Sequence, residues 1–294
     1  MEFKKATRVK TKARILLAGQ AGSGKTFTAL KIAEGLLAGN DGSAPENKLF
    51  VLNTEIAGDC VGASELYADE VPHIAGIIEY PYEPDEFVKG IDECIKAGAE
   101  VIIIDSATHE WEGVLTMVTE MERNVKNKVS VWSKATPAHD RFIQAVISCP
   151  VHIIVTVRTE DKVGIDDNGK PFKIIDKYIA RKGEAFGYEF SVVLHTNMAE
   201  SATVAKSRYM EIPVNKVYDL KDTDMYEEIR WAHNVGEEPP VTKGSFIAML
   251  RRFGYATSED MANLKKEVPE LDQPWTAESH QAMMNALMEY HKNR

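Results

Sequence analysis

The chain has 294 residues, enough to bury one full hydrophobic core and carry an appendage. At 44% hydrophobic and 27% charged its composition is that of an ordinary globular protein; no apolar run nears the roughly 18 residues of a membrane span, and Met1-Glu2-Phe3-Lys4-Lys5 lacks a signal-peptide core. A formal net charge of −10 excludes a surface coated in basic residues for standing nucleic-acid contact, so any polyanion site has to be local.

Residues 1–14 carry six basic side chains against Glu2 alone, and 1–13 read as a basic arm ahead of the core. Arg14-Ile15-Leu16-Leu17-Ala18 is a strand-like apolar run. Gly19-Gln20-Ala21-Gly22-Ser23-Gly24-Lys25-Thr26 follows it and spells G-x-x-x-x-G-K-T, with a helical stretch from Phe27 to Leu37 behind. Strand, glycine loop and helix in that order make a phosphate-binding loop. Glycines let backbone N–H groups converge on an anion, and the helix N-terminus adds partial positive charge. In that setting Lys25 reaches the β- and γ-phosphates and Thr26 ligates Mg²⁺, with Gly19 through Phe27 forming the nucleotide-contacting set.

Further strands are expected at 48–53, 75–79, 101–105 and 151–157, and helices near 25–37, 62–69, 84–97, 110–126 and 136–148. This alternation predicts an α/β fold with a mostly parallel sheet. Leu49-Phe50-Val51-Leu52-Asn53-Thr54-Glu55 ends a strand in an acid, where open α/β sheets place their ligands. Glu55 is therefore the candidate base that orients the attacking water. Val101-Ile102-Ile103-Ile104-Asp105 is a buried-type strand ending in a second carboxylate, and Asp105 is the candidate partner of Thr26 in holding Mg²⁺. Cys60, Cys94 and Cys149 are odd in number, lack metal-ligand spacing and read as reduced thiols of a cytoplasmic protein.

Beyond residue 157 the texture changes. Asp166-Asp167-Asn168-Gly169 between alternating segments signals a hairpin, and strands at 188–196 and 202–209 are expected to extend the sheet antiparallel. Val204-Ala205-Lys206-Ser207-Arg208 sets two cations two apart, on one strand face. Lys206 and Arg208 are candidate γ-phosphate contacts, in the same chain or offered to a neighbour. The core reads as 14–235, followed by a linker at 236–244 and a helical appendage at 245–294, with no internal repeat. Two basic stretches are candidate DNA contacts: 123–134, with Arg123, Lys126, Lys128 and Lys134, and 162–182, with Lys162, Lys170, Lys173, Lys177, Arg181 and Lys182.

His109-Glu110-Trp111-Glu112 is not a zinc motif, because position 113 is Gly113. Beside the phosphate site, His109 and Glu110 either orient water or pack. Asn215-Lys216-Val217-Tyr218-Asp219 is one residue too long for the guanine reader, which favours adenine. Trp111, Trp132 and Tyr178 are either core aromatics or base-stacking platforms.

Phosphate loop, Glu55, Asp105-Ser106 and the Lys206/Arg208 strand, in this order, resemble the RecA-type recombinase ATPases. A closer resemblance is to phage-encoded ATP-binding proteins of the short, RecA-like single-strand-annealing recombinase group. It is carried by Phe3-Lys4-Lys5-Ala6, Ser106-Ala107-Thr108-His109-Glu110-Trp111-Glu112-Gly113, Thr136-Pro137-Ala138-His139, His152-Ile153-Ile154-Val155-Thr156-Val157-Arg158 and Lys206-Ser207-Arg208. The likeness spans about residues 1–210 and leaves out 236–294. Two positions depart from it: Asn53 stands where that group tends to carry Asp, and Thr156 and Arg158 stand in place of a polar glutamine sensor. The resemblance implies a RecA-like P-loop fold and ATP·Mg²⁺ hydrolysis to ADP and phosphate. It also implies single-stranded DNA as partner in recombination, annealing or repair, and self-association into a ring or filament. A single-strand-binding protein or another replication or recombination factor is an implied partner, and the host cytoplasm the implied location. In relatives of the recombinase family a Phe-x-x-Ala tether docks on the next subunit, and Phe3-x-x-Ala6 either does so here or belongs to a disordered start. An ATP-driven helicase or motor, or a nucleotide-switched protein-binding module, would share this core.

Overall fold

The structure, a computed structural model, describes residues 5–38, 45, 47–56, 61–123, 129–165, 171–178, 183–237, 239, 243–255, 257–274 and 276–292. Among these residues the strands are β1 (Arg14–Gly19), β2 (Leu49–Asn53), β3 (Ile74–Ile77), β4 (Val101–Asp105), β5 (His152–Ile165), β6 (Pro171–Tyr178), β7 (Val192–Thr196), β8 (Ser201–Ser207) and β9 (Val217–Asp219). The helices are α1 (Lys25–Leu37), α2 (Pro84–Lys96), α3 (Ala107–Glu122), α4 (Val129–Ile147), α5 (Asp224–Asn234), α6 (Lys243–Arg252), α7 (Ser258–Glu267) and α8 (Ala277–Lys292).

The sheet runs β3-β2-β4-β5-β1-β7-β8-β9, parallel from β3 to β7 and antiparallel beyond, with β6 pairing only the outer half of β5. This is the mixed, mostly parallel α/β fold expected from the sequence. The apolar runs of β2 and β4 are buried throughout because helices cover both faces of the sheet. Alternation splits each strand between two cores. Ile15, Leu17, Val51, Val101, Ile103 and Ile154 pack against α1 and α5. Leu16, Phe50, Ile102, Ile104 and Val155 pack against Phe87 and Ile91 of α2 and Phe142 of α4. The C-terminal helices join this second core through Phe246, Leu250, Leu264 and Leu287, and Arg252 pairs with Asp92 of α2.

Some elements differ from expectation. Residues 63–67 form a short 3-10 turn rather than a regular helix. α4 begins at Val129, with Pro137 inside it rather than at its start, because Val131 and Ala135 pack on Val114 and Val118 of α3. The segment 183–189 is a 3-10 turn, and the strand expected from 188 starts only at Val192; Phe186 and Phe190 pack edge to face, 5.1 Å apart. α5, in the acid-rich stretch, was not anticipated; its buried Met225, Tyr226, Ile229, Ala232 and His233 follow the helical period. No described helix is long and apolar enough to cross a membrane. Cys94 and Cys149 are free and buried, burial pushing the Cys94 thiol up to about 12, while Cys60 lies outside the described residues.

Candidate active site

Strand alternation decides which side chains can meet the phosphate loop. Val101 and Ile103 of β4 face α1, so Asp105, two residues on, points to the start of that helix. Ile154 of β5 also faces α1, and Thr156 and Arg158 keep its phase. Because β5 lies between β1 and β4, Thr156 and Arg158 enter the space between loop and carboxylate.

The loop itself needs its glycines. Gly22 and Gly24 hold left-handed φ of 81° and 80°, and Gly24 immediately precedes α1. At Gly19 an added Cβ would lie 2.4 Å from Thr196 Oγ1, and Thr196 in turn bonds Ser23 Oγ at 2.7 Å. Lys25 is buried, and its ammonium donates back to Gln20 O at 2.9 Å, across the loop it starts from. Burial pushes its pKa down, opposed by the charges of Glu55 and Asp105.

Asp105 is fully buried and accepts from both sides: Thr26 Oγ1 donates to Oδ2 at 2.6 Å and Thr156 Oγ1 to Oδ1 at 2.5 Å. Burial and the nearby Glu55 charge push its carboxyl up, while these two hydroxyls and the Lys25 ammonium hold it down. The peptide bond from Asp105 to Ser106 is cis. Thr54 ties β2 to this end of β4: Ser106 N–H donates to its Oγ1 at 2.7 Å, and His109 Nδ1 meets the same oxygen at 2.6 Å. Glu55 follows, with its backbone held by Asp105 O and Ala63 N–H. Arg158 Nε donates to Glu55 Oε1 at 3.0 Å. With side chains 35% and 26% exposed, that pair stabilises by about 1 kcal/mol at most.

These residues suit a nucleotide triphosphate. The loop offers backbone donors and a buried ammonium, and the Ser106 hydroxyl is buried beside Asp105 with no hydrogen-bond partner among the described residues. Thr26 Oγ1 and the Asp105 carboxylate are hard oxygen ligands of the kind Mg²⁺ takes.

The other predicted residues are dispersed. Phe27 packs on Tyr67 with ring centroids 5.3 Å apart. His109 lines the site, stacked 4.8 Å from Tyr82, and burial lowers its pKa. Glu110 turns instead to His139 of α4, whose Nδ1 lies 3.0 Å from both carboxylate oxygens, and both residues are buried. Trp111 stacks on Trp132 at 6.1 Å, so the two rings face each other.

Lys206 and Arg208 reach the same acceptor, Tyr188 O, at 2.6 and 3.3 Å. Lys206 also donates to Gly187 O and Phe190 O. It pairs with Val193, which is level with Leu16, roughly 10 Å back along the strands from Gly19. The register shift between Val193 and Leu194 turns Lys206 toward the Gly187–Phe190 carbonyls, away from the α1 face. Both cations thus stand back along the strands from their own phosphate loop. Of the basic DNA candidates, Lys173 and Lys177 stand on β6, opposite Val163 and Glu160. Lys126, Lys128, Lys170, Arg181 and Lys182 lie outside the described residues, as does Phe3.

The sequence marks Thr156 and Arg158 as polar residues near a strand end, standing in place of the glutamine sensor of the resembling family. Their partners Asp105 and Glu55 follow from strand order, which no local motif encodes. A family model described as an AAA domain matches residues 11–227, well over half of the chain. No curated protein matches it.

Proposed function

The chain belongs to the AAA domain family, nucleotide-binding proteins of the P-loop ATPase type, and from that premise we propose a Mg²⁺-dependent ATPase of the RecA-like kind that works on single-stranded DNA in recombination, annealing or repair. The observation that carries the ATPase part is the bond from Thr26 of the loop to buried Asp105, with Glu55 next along the same sheet edge. In this reading Gly19 through Phe27 cradle the phosphates, and Lys25 sits on the β- and γ-phosphates. Thr26 and Asp105 would hold Mg²⁺, which when bound would draw charge from the phosphate oxygens. Glu55 accepts a proton from the attacking water as its oxygen bonds the γ-phosphorus. The bond from that phosphorus to the bridging oxygen breaks, and ADP and phosphate leave.

The DNA part rests on the resemblance of residues 1–210 to the annealing recombinase group and on the two lysine-rich segments. Self-association into a ring or filament, and a single-strand-binding or other replication partner, belong to the same reading. ATP turnover measured with and without single-stranded DNA tests it, with Lys25→Ala as control. DNA should raise the wild-type rate, and Lys25→Ala should lose both turnover and ATP binding. Unchanged ATP affinity of Lys25→Ala by calorimetry would reject the site, and a rate indifferent to DNA would reject the partner.

A further inference from the structure

His109 has no part in the reaction proposed above, yet three elements are shaped to hold it. It stands in the first turn of α3, buried, with its ring over that of Tyr82, centroids 4.8 Å and planes 15° apart. Tyr82 holds this place with a left-handed φ of 61°, which a non-glycine residue keeps only where its surroundings enforce it. Here α3 enforces it. A Cβ at Gly113, one turn beyond His109, would collide with Tyr82 O, so the helix carries glycine where that carbonyl docks. The same imidazole meets Thr54, the residue before Glu55, through Nδ1 and Oγ1 at 2.6 Å.

Ser106 N–H donates to Thr54 Oγ1 at 2.7 Å, so the hydroxyl hydrogen goes to His109 Nδ1 rather than to Ser106 O, which lies farther off at 3.2 Å. The imidazole is then neutral with its proton on Nε2; burial and the Arg158 charge lower its pKa and keep it so. We infer that His109 is a positioning residue for Glu55: its Nδ1 holds the Thr54 hydroxyl, the hydroxyl holds the Ser106 amide, and the end of β2 is tied to the end of β4 at the spacing that sets Glu55 against Asp105. This rests on the ATPase reading above. Asn53 with Asp105 is the last pair of the β2–β4 register. Beyond it, Thr54 and Glu55 hang by their N–H groups on the single carbonyl of Asp105, at 2.7 and 3.4 Å. One carbonyl shared by two donors is a pivot rather than a clamp. The bridge through His109 supplies the second point of attachment, and it acts through the backbone from which the base projects.

Steady-state kinetics and nucleotide affinity of the whole chain test this on His109→Phe, His109→Asn, Thr54→Val and the double variant Thr54→Val/His109→Phe. His109→Phe keeps a ring against Tyr82 but removes the acceptor. It should lower kcat roughly 10–100-fold with KM and the affinity for a non-hydrolysable ATP analogue within about twofold, because the base and not the phosphate cradle is displaced. His109→Asn, whose Oδ1 can accept where Nδ1 did, should recover part of that loss although it fills the space less well, the reverse of what packing alone predicts. Thr54→Val should match His109→Phe, and the double variant should be no slower than either. Nitrogen NMR of the imidazole reads the bridge in nucleotide-free protein. At neutral pH the wild-type ring should be neutral, protonated on Nε2 and hydrogen-bonded at Nδ1, and Thr54→Val should lose that bond. A charged ring, or one protonated on Nδ1, overturns the inference; so does His109→Phe with wild-type kcat, or with analogue affinity lost alongside kcat. If His109→Phe does not fold, Thr54→Val decides, and wild-type turnover there overturns the bridge. A wild type without ATP turnover would remove the ATPase reading and this inference together. Wild-type turnover indifferent to both substitutions removes only this one.

Discussion

Glu55 and Asp105 are carboxylates at adjacent strand ends, and their surroundings suit them to different work in the proposed reaction. Asp105 has no exposed surface and both its oxygens are taken by hydroxyls, an arrangement that fixes a ligand and leaves no room for a water to give up a proton. Glu55 is about a quarter exposed and holds one exchangeable partner, as a base needs. Glu55→Gln keeps shape and hydrogen bonding, so nucleotide should still bind while turnover falls roughly 10²–10⁴-fold. Asp105→Asn should instead weaken binding in the presence of Mg²⁺, with little change in its absence. Turnover under saturation and affinity with and without the metal separate the two, and normal turnover by Glu55→Gln would place the base elsewhere. Lys25, Thr26, Glu55 and Asp105 were legible in the sequence because each sits at a fixed offset from an apolar run. The pairing of Arg158 with Glu55 was not, since it reaches two strands across β4 and depends on the order β2-β4-β5.

Among the elements, the amino-terminal arm differs most from what its composition suggested. A run of basic residues carries no apolar period to place it, yet Val9 pairs with Glu237, Lys10 N–H donates to Glu237 O, and Arg8 reaches Glu211 and the Ala232 carbonyl at the end of α5. Residues 8–12 thus form a strap over two imidazoles. His152 Nδ1 accepts from Ala13 N–H at 3.1 Å, and His233 Nδ1 bonds Ile229 O at 2.8 Å. Burial holds both well below their ordinary 6.5, His233 at about 4, and the Lys12 charge adds to the effect on His152. The unfolded chain takes up these protons near pH 6.5 and the folded one does not. Stability contributed by the neutral rings is therefore complete above pH 6.5 and is lost as pH falls toward 4, by up to about 3 kcal/mol for His233 alone. Urea unfolding between pH 7.5 and 4.5 should show this slope, and His233→Asn should flatten it. An equal slope in the variant would assign the acid sensitivity to other groups. The same blindness to polar stretches hid α5, whose core face is short and interrupted by acids, whereas β1, β2 and β4 were plain because they are buried on both sides.

For the molecule as a whole, charge and packing bear on assembly. α6, α7 and α8 share a core with α2 through Phe246, Leu250, Leu264 and Leu287. Lys206 and Arg208 stand at the end of β8 away from their own phosphate loop, which leaves a neighbouring subunit as the place where they would meet a γ-phosphate. The two are not equivalent. Lys206 is committed to the carbonyls of Gly187, Tyr188 and Phe190, and its loss would disturb that turn. Arg208 is exposed and keeps a 3.3 Å bond to Tyr188 O, a contact a guanidinium can leave at little cost. Arg208 is therefore the better candidate for a cation acting across an interface, where such a residue can contribute about 10³–10⁵ in rate. On this basis specific activity should rise with protein concentration, and Arg208→Ala should be inactive at every concentration while still binding ATP. Mixing Arg208→Ala with Glu55→Gln subunits should restore turnover, because one kind of mixed interface joins an intact glutamate to an intact arginine. Full activity of a dilute monomer, or mixtures no better than either variant alone, would show that each chain completes its own site.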